Sequence, residues 1–315
     1  MSGFSTRTLG KTGLKVSPLG IGGGSGISSE DVLYAFERGV NYFFFSSDLH
    51  HHSYRNSAEA LRKLCQKGSA VRDKVVLATV SYINNPEKLI GILIDQFIEL
   101  EIDYIDVFHW GWVNEKDASA ELFKSVQDLK EEGDFNRFFR EQFGVMEEVN
   151  QELLNRGLVR YVGASFHSRV LARQWMSELD VLMLRYNLAH LGVEVGIFPL
   201  LPQDKTQRPG TVVFNVGHEG QRLISMPPPG LSPDSYVPSL PDCYRYALTN
   251  PSVDVVLTGV QNRTQLDEAL AAMEKGALSP TECEQLRDYG AQWRSAYSAT
   301  TYGSKLLRFV GAEVR

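Results

Sequence analysis

The sequence predicts a single (β/α)8 barrel domain spanning residues 1–315, opened by a short β-hairpin. Short apolar runs alternate with helix-like segments along most of the chain, and this alternation favours parallel strands joined by right-handed crossovers. A hydrophobic content of 43% supplies enough apolar side chains for a large core. No Gly-x-Gly-x-x-Gly follows a predicted strand, so a doubly wound sheet is the second choice.

The elements are predicted in order from the N-terminus. Thr6–Ser17 alternates apolar and polar residues around a Gly-Lys-Thr-Gly turn, which indicates the hairpin. Pro18–Gly24 is the first barrel strand, and Ser29 caps a helix that runs to Arg38. Seven more strands are predicted at Tyr42–Ser46, Lys74–Val80, Asp103–His109, Tyr161–Ser165, Val181–Tyr186, Thr211–Val216 and Val253–Thr258. Helices are predicted at Ser57–Gln66, Pro86–Leu100, Val145–Arg156, Arg169–Ser177, Pro241–Leu248, Gln265–Lys275 and Pro280–Trp293.

One long interruption follows the fourth barrel strand. Residues 113–144 include the charged and aromatic segment Glu131–Arg140. Connections of this length are usually lids or extra subdomains. We therefore expect an insertion that closes over the substrate, with an inert surface loop as the alternative.

Composition excludes several classes of partner. The net charge is −6 and no basic block occurs, which argues against nucleic acid and against anionic membranes. The three cysteines lie far apart, as expected of reduced thiols in a cytosolic protein. No apolar run approaches the roughly 18 residues of a membrane helix, and the first residues lack a signal-peptide pattern. We expect a cytoplasmic protein with a small-molecule substrate, and the oligomeric state stays open.

Histidines concentrate at the ends of the predicted strands. They are His50, His51, His52, His109 and His167. The carboxyl ends of parallel barrel strands form one rim, which is where barrel enzymes carry their active sites.

Strand alternation predicts which of these side chains converge. Residues i and i+2 of an extended segment point the same way, so His50 and His52 share a side with Asp48. The same parity points His109 and His167 inward. Imidazoles with one carboxylate suit Fe(II), Zn or Cu. We predict a divalent-metal site with His50, His52, His109 and His167 as ligands and Asp48 as ligand or orienting group. The alternatives are solvated loop histidines and, for His109, a core residue with satisfied hydrogen bonds.

Several motifs resemble the aldo-keto reductase superfamily over nearly the whole chain. The most specific is Arg7-Thr8-Leu9-Gly10-Lys11-Thr12-Gly13-Leu14, which resembles the N-terminal hairpin of that family. Further similar segments follow in the family's order: Gly39–Asn41, Asp103–Asp106, Gly157–Ser165, Arg185–Leu188 and Gly259–Leu266. The resemblance implies a (β/α)8 barrel whose active site lies at the carboxyl ends of the strands.

The resemblance also implies a catalytic tetrad of Asp, Tyr, Lys and His acting with NADPH on a carbonyl. In this sequence the four positions carry other residues. They are Phe44 or Phe45 for the aspartate, His50 for the tyrosine, Val80 for the lysine and Gly111 for the histidine, with His109 two residues earlier.

The cofactor positions implied by the family are partly kept. Ser165 and Tyr186 match residues that hold the nicotinamide amide and stack on its ring, and Arg263 and Gln265 match the segment that binds the adenosine phosphate. Three positions depart from the family pattern, namely Phe166, Met183 and Ala269.

Three functional hypotheses follow. The first is a barrel enzyme whose histidine-rich metal site, with Asp48, His50, His52 and His109 as catalytic residues, performs redox chemistry or metal-assisted hydrolysis or elimination. The second is an NAD(P)H-dependent carbonyl reductase in which His50 or His109 replaces the tyrosine as proton donor. The third is a barrel that binds a ligand without catalysis.

Overall fold

The computed structural model describes most of the chain at the level of the backbone. The described residues are 5–48, 51–83, 86–113, 144, 146–218, 221–232 and 235–309. The predicted lid, residues 113–144, lies outside this set except for its two terminal residues, as does His50.

Eight parallel strands close into a barrel, and a separate antiparallel pair precedes it. The pair is β1 (Arg7–Thr8) and β2 (Lys15–Val16), and the barrel strands are β3 (Leu19–Gly22), β4 (Tyr42–Phe45), β5 (Val76–Ser81), β6 (Ile105–Val113), β7 (Val159–Phe166), β8 (Val181–Arg185), β9 (Gly210–Phe214) and β10 (Val255–Thr258). Each strand pairs with the next along the chain, and β10 pairs with β3. This arrangement confirms the predicted fold class and the N-terminal hairpin.

Helices surround the barrel on its outer face. They are α1 (Ser29–Glu37), α2 (His51–Cys65), α3 (Ser69–Arg72), α4 (Pro86–Leu100), α5 (146–155), α6 (Arg169–Trp175), α7 (Gly192–Gly196), α8 (Arg222–Ser225), α9 (Leu240–Thr249), α10 (Arg263–Lys275) and α11 (Pro280–Phe309). Short 3-10 turns occur at Gly10–Thr12, Gly23–Ser25 and Phe198–Leu200. Among the described helices, none is long and apolar enough to cross a lipid bilayer.

The N-terminal cap of α1 differs from the prediction by one residue. Ser28, in extended conformation, accepts a hydrogen bond from the backbone N–H of Asp31, so the cap is Ser28 and Ser29 is already helical. A cap residue needs a non-helical backbone, and two consecutive serines left that choice open in the sequence.

The hairpin packs against the N-terminal end of the barrel. The Tyr161 hydroxyl donates to the Thr12 carbonyl at 2.7 Å, and the Lys11 N–H donates to the Arg208 carbonyl at 2.8 Å. At Gly10 (φ 45°) a Cβ would lie 2.3 Å from the backbone nitrogen of Gly210, so only glycine permits this close approach. Because the hairpin covers this end, the carboxyl end is the one left for a functional site.

Candidate functional site

A cleft with a volume of about 480 Å³ opens at the carboxyl end of the barrel. It extends from the ends of β3 and β4 across β8, β9 and β10 to the start of α10. Its lining combines aromatic rings with amide side chains, including Phe44, Tyr54, Tyr82, Phe214, Asn215 and Gln265. A cleft of this volume with a few convergent polar groups is the usual form of a small-molecule site.

Two of the positions where the resemblance implies catalytic residues are apolar. Phe44 lines the cavity, and Val80 is fully buried on β5. The Phe44 ring meets the His109 ring edge-on at 6.0 Å. Phe44 therefore lies between the cleft and His109.

His109 points into the barrel, as its parity predicted, but it has no exposed surface. Its Nδ1 lies 3.3 Å from the Thr79 carbonyl, and its Nε2 has no hydrogen-bond partner among the described residues. Burial lowers the pKa of His109 to about 4, against a smaller opposing effect of the Thr79 hydrogen bond. The ring is thus neutral near pH 7. Since a carbonyl oxygen only accepts, the Nδ1 proton is held by Thr79, and none is left for a substrate.

The predicted convergence of His50 and His52 rests on an extended chain that the structure does not have. Helix α2 already begins at His51, so the alternation of an extended segment does not apply to His52. The His52 side chain is exposed, and the neighbouring His51 Nε2 lies 2.7 Å from the Glu99 carboxylate. His50 is outside the described residues.

His167 lies just beyond the end of β7 and is exposed rather than inward. It lines a second cavity and contacts the edge of the Phe214 ring at 5.7 Å. In the part of the chain that the structure describes, no group of three or more His, Cys, Asp or Glu side chains is arranged to hold a metal ion. His52, His109 and His167 are therefore not brought together.

Asp48 joins the ends of two strands. Its carboxylate accepts hydrogen bonds from the Ser46 hydroxyl at 2.8 Å, the Ser81 hydroxyl at 3.0 Å and the Tyr82 N–H at 2.7 Å. Three donors to one carboxylate fix its position. Asp48 therefore orients the chain after β5, where Tyr82 enters the cleft.

A pair of tyrosines at the cleft wall was missed by the sequence analysis. The Tyr54 and Tyr82 hydroxyl oxygens lie 3.2 Å apart, and both side chains line the cleft. Burial is the largest cause that raises the pKa of each phenol, and the nearby Asp48 carboxylate adds to it. Both phenols therefore keep their protons at neutral pH. Helical periodicity could have found Tyr54, because it begins the buried face of α2 that continues through Leu61.

The residues predicted to hold a nicotinamide ring are placed differently from expectation. Ser165 is buried beside Met183 on the neighbouring strand. Tyr186 is buried, and its hydroxyl donates to Glu194. It does not line the cleft. Phe214, at the end of the neighbouring strand β9, does line the cleft.

Arg263 and Gln265 both lie in the first turn of α10, at the far end of the cleft. Asn262 caps this helix and accepts from the Gln265 N–H. The Gln265 side chain lines the cleft and accepts from the Gln261 N–H at 2.9 Å. The Arg263 guanidinium lies 2.6 Å from the Asp31 carboxylate and 3.7 Å above the Tyr34 ring. The start of α10 makes this end of the cleft favourable for an anion, whereas Arg263 is paired with Asp31 and lies beside the cleft lining.

Comparisons with known proteins show similarity at the level of structure. No family model matches the sequence, and no curated protein matches it. An aldo-keto reductase from Bacillus halodurans in its holo form superposes with a TM-score of 0.69 at 19% identity, over 91% of this chain and 96% of that one. An aldo/keto reductase from Klebsiella pneumoniae, solved in complex with NADP and acetate, superposes with a TM-score of 0.64 at 14% identity, again over 91% and 96%. The chain thus has the barrel fold of the aldo-keto reductases, which confirms the predicted resemblance at the level of the fold.

Proposed function

We propose that this protein is a divergent aldo-keto reductase that uses NADP(H) to reduce a carbonyl group of a small molecule. The observation that supports this most is the cleft, because it connects a pair of protonated phenols at one end with the N-terminus of α10 at the other. The fold similarity to a protein solved with NADP agrees with this reading.

The cleft residues fit a dinucleotide. The Phe214 ring offers a flat apolar face, and Asn215 and Gln261 offer amide groups. At Gly259 a Cβ would have no other atom within 4 Å, so the backbone there faces open cleft. The first turn of α10, with Arg263 and Gln265, would hold the phosphate end. These residues replace the amide contacts that Phe166 and Met183 do not provide.

The bound cofactor would supply a hydride, and this chain must supply the matching proton. Two hydroxyls that share one hydrogen bond place one proton between their oxygens and direct the other away from the pair. In the Tyr54–Tyr82 pair, this second proton would be transferred to the substrate's carbonyl oxygen, which gains negative charge as the carbonyl is reduced. An alkoxide is a stronger base than a phenolate, so the transfer is favourable even though the pKa of each phenol is raised. We assign the proton-donor role to this pair instead of His50 or His109.

The metalloenzyme hypothesis has less support. Of the four ligands it names, the three described ones do not converge, and its case now rests on His50. Elemental analysis of the purified protein tests it directly. About one Fe, Zn or Cu per chain, lost on His50→Ala, would favour it over the reductase.

Titration with NADPH tests the proposed function. Cofactor binding is followed by protein fluorescence in the wild type and in Gly259→Leu, whose Cβ has open space around it and whose side chain would extend into the cleft. We expect saturable binding by the wild type and a loss of at least about tenfold in Gly259→Leu, because the added side chain occupies the ligand's volume.

The matched control is Gly91→Leu. Gly91 lies on the exposed face of α4 and also has no atom within 4 Å of a Cβ, so this variant should bind NADPH as the wild type does. If the wild type fails to bind NADPH, or if Gly259→Leu binds it equally well, the proposal is wrong.

Turnover tests the tyrosine pair. In a screen of aldehydes and ketones with NADPH, Tyr54→Phe and Tyr82→Phe should each lower kcat by roughly a hundredfold, the usual contribution of a positioned acid. NADPH affinity should stay unchanged, since only a hydroxyl is removed. Wild-type turnover in both variants would exclude the pair as the proton donor and leave the cofactor assignment standing.

A further inference from the structure

A second cavity, with a volume of about 410 Å³, is lined by Leu184 and Arg185 of β8, whereas the cleft is lined by Met183 of the same strand. Three arginines and two histidines contribute to its wall, namely Arg169, Arg185, Arg294, His167 and His190. Among the described residues that line it, none is an aspartate or a glutamate. The whole chain has 38 acidic and 32 basic residues, so this concentration of cations runs against the overall balance.

Two of the arginines have no acceptor within the described structure. Neither Arg169 nor Arg294 makes a hydrogen bond or ion pair with a described residue. A guanidinium presents several N–H donors in a fixed plane and does not lose its charge in proteins. Two such groups beside one cavity are arranged for a ligand with several acceptor oxygens.

The absence of a side chain on Gly192 makes room for Arg169. A Cβ on Gly192 would lie 1.7 Å from Arg169 Nη1 and 2.5 Å from Cζ. The guanidinium therefore occupies the space directly against the Gly192 backbone at the cavity wall. The glycine is needed for this placement, although its own backbone conformation does not require one.

The back wall of the cavity is ordered by a chain of contacts. Arg185 Nη2 donates to His218 Nδ1 at 2.9 Å. Because arginine only donates, this nitrogen of His218 must be unprotonated. The His218 ring stacks on His190 at 4.9 Å and meets Trp293 edge-on at 4.8 Å, and Trp293 Nε1 donates to the Met226 carbonyl at 3.0 Å. These contacts fix Arg185 and His190 at the back of the cavity, in front of which the exposed Arg169 and Arg294 lie.

We propose that this second cavity binds the anionic group, a carboxylate or a phosphate, of a small molecule. The observation that carries the proposal is the joint presence of unpaired guanidinium groups, a slot that only a glycine leaves open for one of them, and a lining without acids. The two cavities share no lining residue, although His218 of the cleft contacts Arg185 and His190 of the second cavity, and the proposal does not depend on the proposed reductase activity.

Calorimetric titration of the full-length protein with inorganic phosphate, and separately with succinate, tests this. At fixed ionic strength we expect one of the two to bind saturably, at one anion per chain with a dissociation constant below about 1 mM. The probe that binds more tightly identifies the chemistry. Arg169→Gln should weaken that binding by about tenfold or more, the loss expected for one charge-assisted contact.

Two variants separate position from charge. Gly192→Ala keeps every charge but displaces the guanidinium of Arg169, so it should weaken binding as Arg169→Gln does. Arg173→Gln removes one positive charge from an exposed position on the same helix, outside the cavity, and should leave the affinity within about twofold of wild type.

The cleft variant Gly259→Leu locates the bound anion. It should bind the anion as the wild type does, whatever its effect on NADPH. Binding that is absent for both probes, or unchanged in Arg169→Gln, overturns the proposal. So does binding that disappears in Gly259→Leu and persists in Arg169→Gln, because the anion would then occupy the cleft.

Discussion

His109 is a titratable side chain in a place where its charged form is strongly disfavoured. The ring is fully buried among apolar residues, with one hydrogen bond to a carbonyl. A pKa lowered from 6.5 to about 4 corresponds to roughly 3 kcal/mol of stability that is present above pH 6.5. This contribution is lost as the pH falls through 4, because the unfolded chain takes up a proton that the folded chain excludes.

The free energy of unfolding of His109→Leu should therefore decrease less than that of the wild type as the pH is lowered. Between pH 6.5 and 4 its free energy of unfolding should fall by about 3 kcal/mol less than that of the wild type. Urea denaturation at several pH values measures this. Gln96→Leu is the control, since Gln96 is also buried and bonds the Val80 carbonyl but does not titrate. Parallel profiles for His109→Leu and the wild type would contradict the burial argument.

The tyrosine pair predicts an unusual alkaline limb. The pKa of Tyr54 lies well above 10, and that of Tyr82 is also raised. If the pair donates the proton, its acid form persists through pH 10, and kcat should not decline between pH 7 and pH 9 through loss of this proton. The pH profile of kcat measures this. The prediction is wrong if kcat of the wild type falls with an apparent pKa below 9 and kcat of Tyr54→Phe does not. That result would mean that a phenol of the pair loses its proton below pH 9.

At the scale of the element, the start of α2 decides where sequence reasoning succeeded and failed. The sequence pattern predicted the barrel and its strand order, because each strand carries its own apolar signal. It placed the start of α2 at Ser57, whereas the helix begins at His51. Three consecutive histidines do not predict a helix, so the sequence analysis treated this segment as extended. The predicted direction of the His52 side chain was therefore wrong. The earlier start brings Tyr54 onto the helix, where its ring fits against the backbone of Gly24.

Long-range contacts account for the other errors at the site. Phe214 is the last residue of β9 and Tyr186 directly follows β8, so both are aromatic residues at the ends of neighbouring strands. The sequence does not say which ring lines a cavity and which packs inside. The answer depends on Glu194, which accepts a hydrogen bond from Tyr186 and holds it away from the cleft. Such partners come from separate elements and become visible only in the folded chain.

The cap of α10 predicts a link between helix stability and cofactor binding. Asn262→Ala removes the side chain that accepts from the Gln265 N–H, which should cost about 1 kcal/mol of unfolding free energy. It should also weaken NADPH binding, because the cap orders the turn at the end of the cleft. Ser28→Ala removes the equivalent cap of α1 and should lower stability similarly without that loss of affinity. Equal NADPH affinities in the two variants would show that the cap of α10 does not contribute to NADPH binding.

At the scale of the whole molecule, carboxylates join every second strand at the closed end of the barrel. Asp106 accepts from the Leu77 N–H, Asp180 from the Val162 N–H and Asp254 from the Thr211 N–H. Each carboxylate lies at or just before the start of its own strand and binds a backbone N–H in the first half of the preceding, parallel strand, so the barrel is held together at the end opposite the cleft. The open end is then left to loops and helix starts. This division is typical of barrel enzymes, in which stability and function occupy opposite faces.

The cations paired with these carboxylates are buried to different degrees. We therefore expect the carboxylates to contribute unequally to the free energy of unfolding. Asp106 pairs at 2.7 Å with Arg72, whose side chain is 9% exposed, whereas Asp180 pairs at 3.3 Å with Lys11, which is 28% exposed. An asparagine oxygen can still accept the strand N–H at either position. The substitution Asp106→Asn, however, leaves a buried guanidinium without its counter-ion and should cost about 3–5 kcal/mol of unfolding free energy. Asp180→Asn should cost about 1 kcal/mol or less, because water solvates the lysine. Urea denaturation of both variants at pH 7 measures the difference, and equal losses would mean that the backbone contact, rather than the buried ion pair, holds this end of the barrel closed.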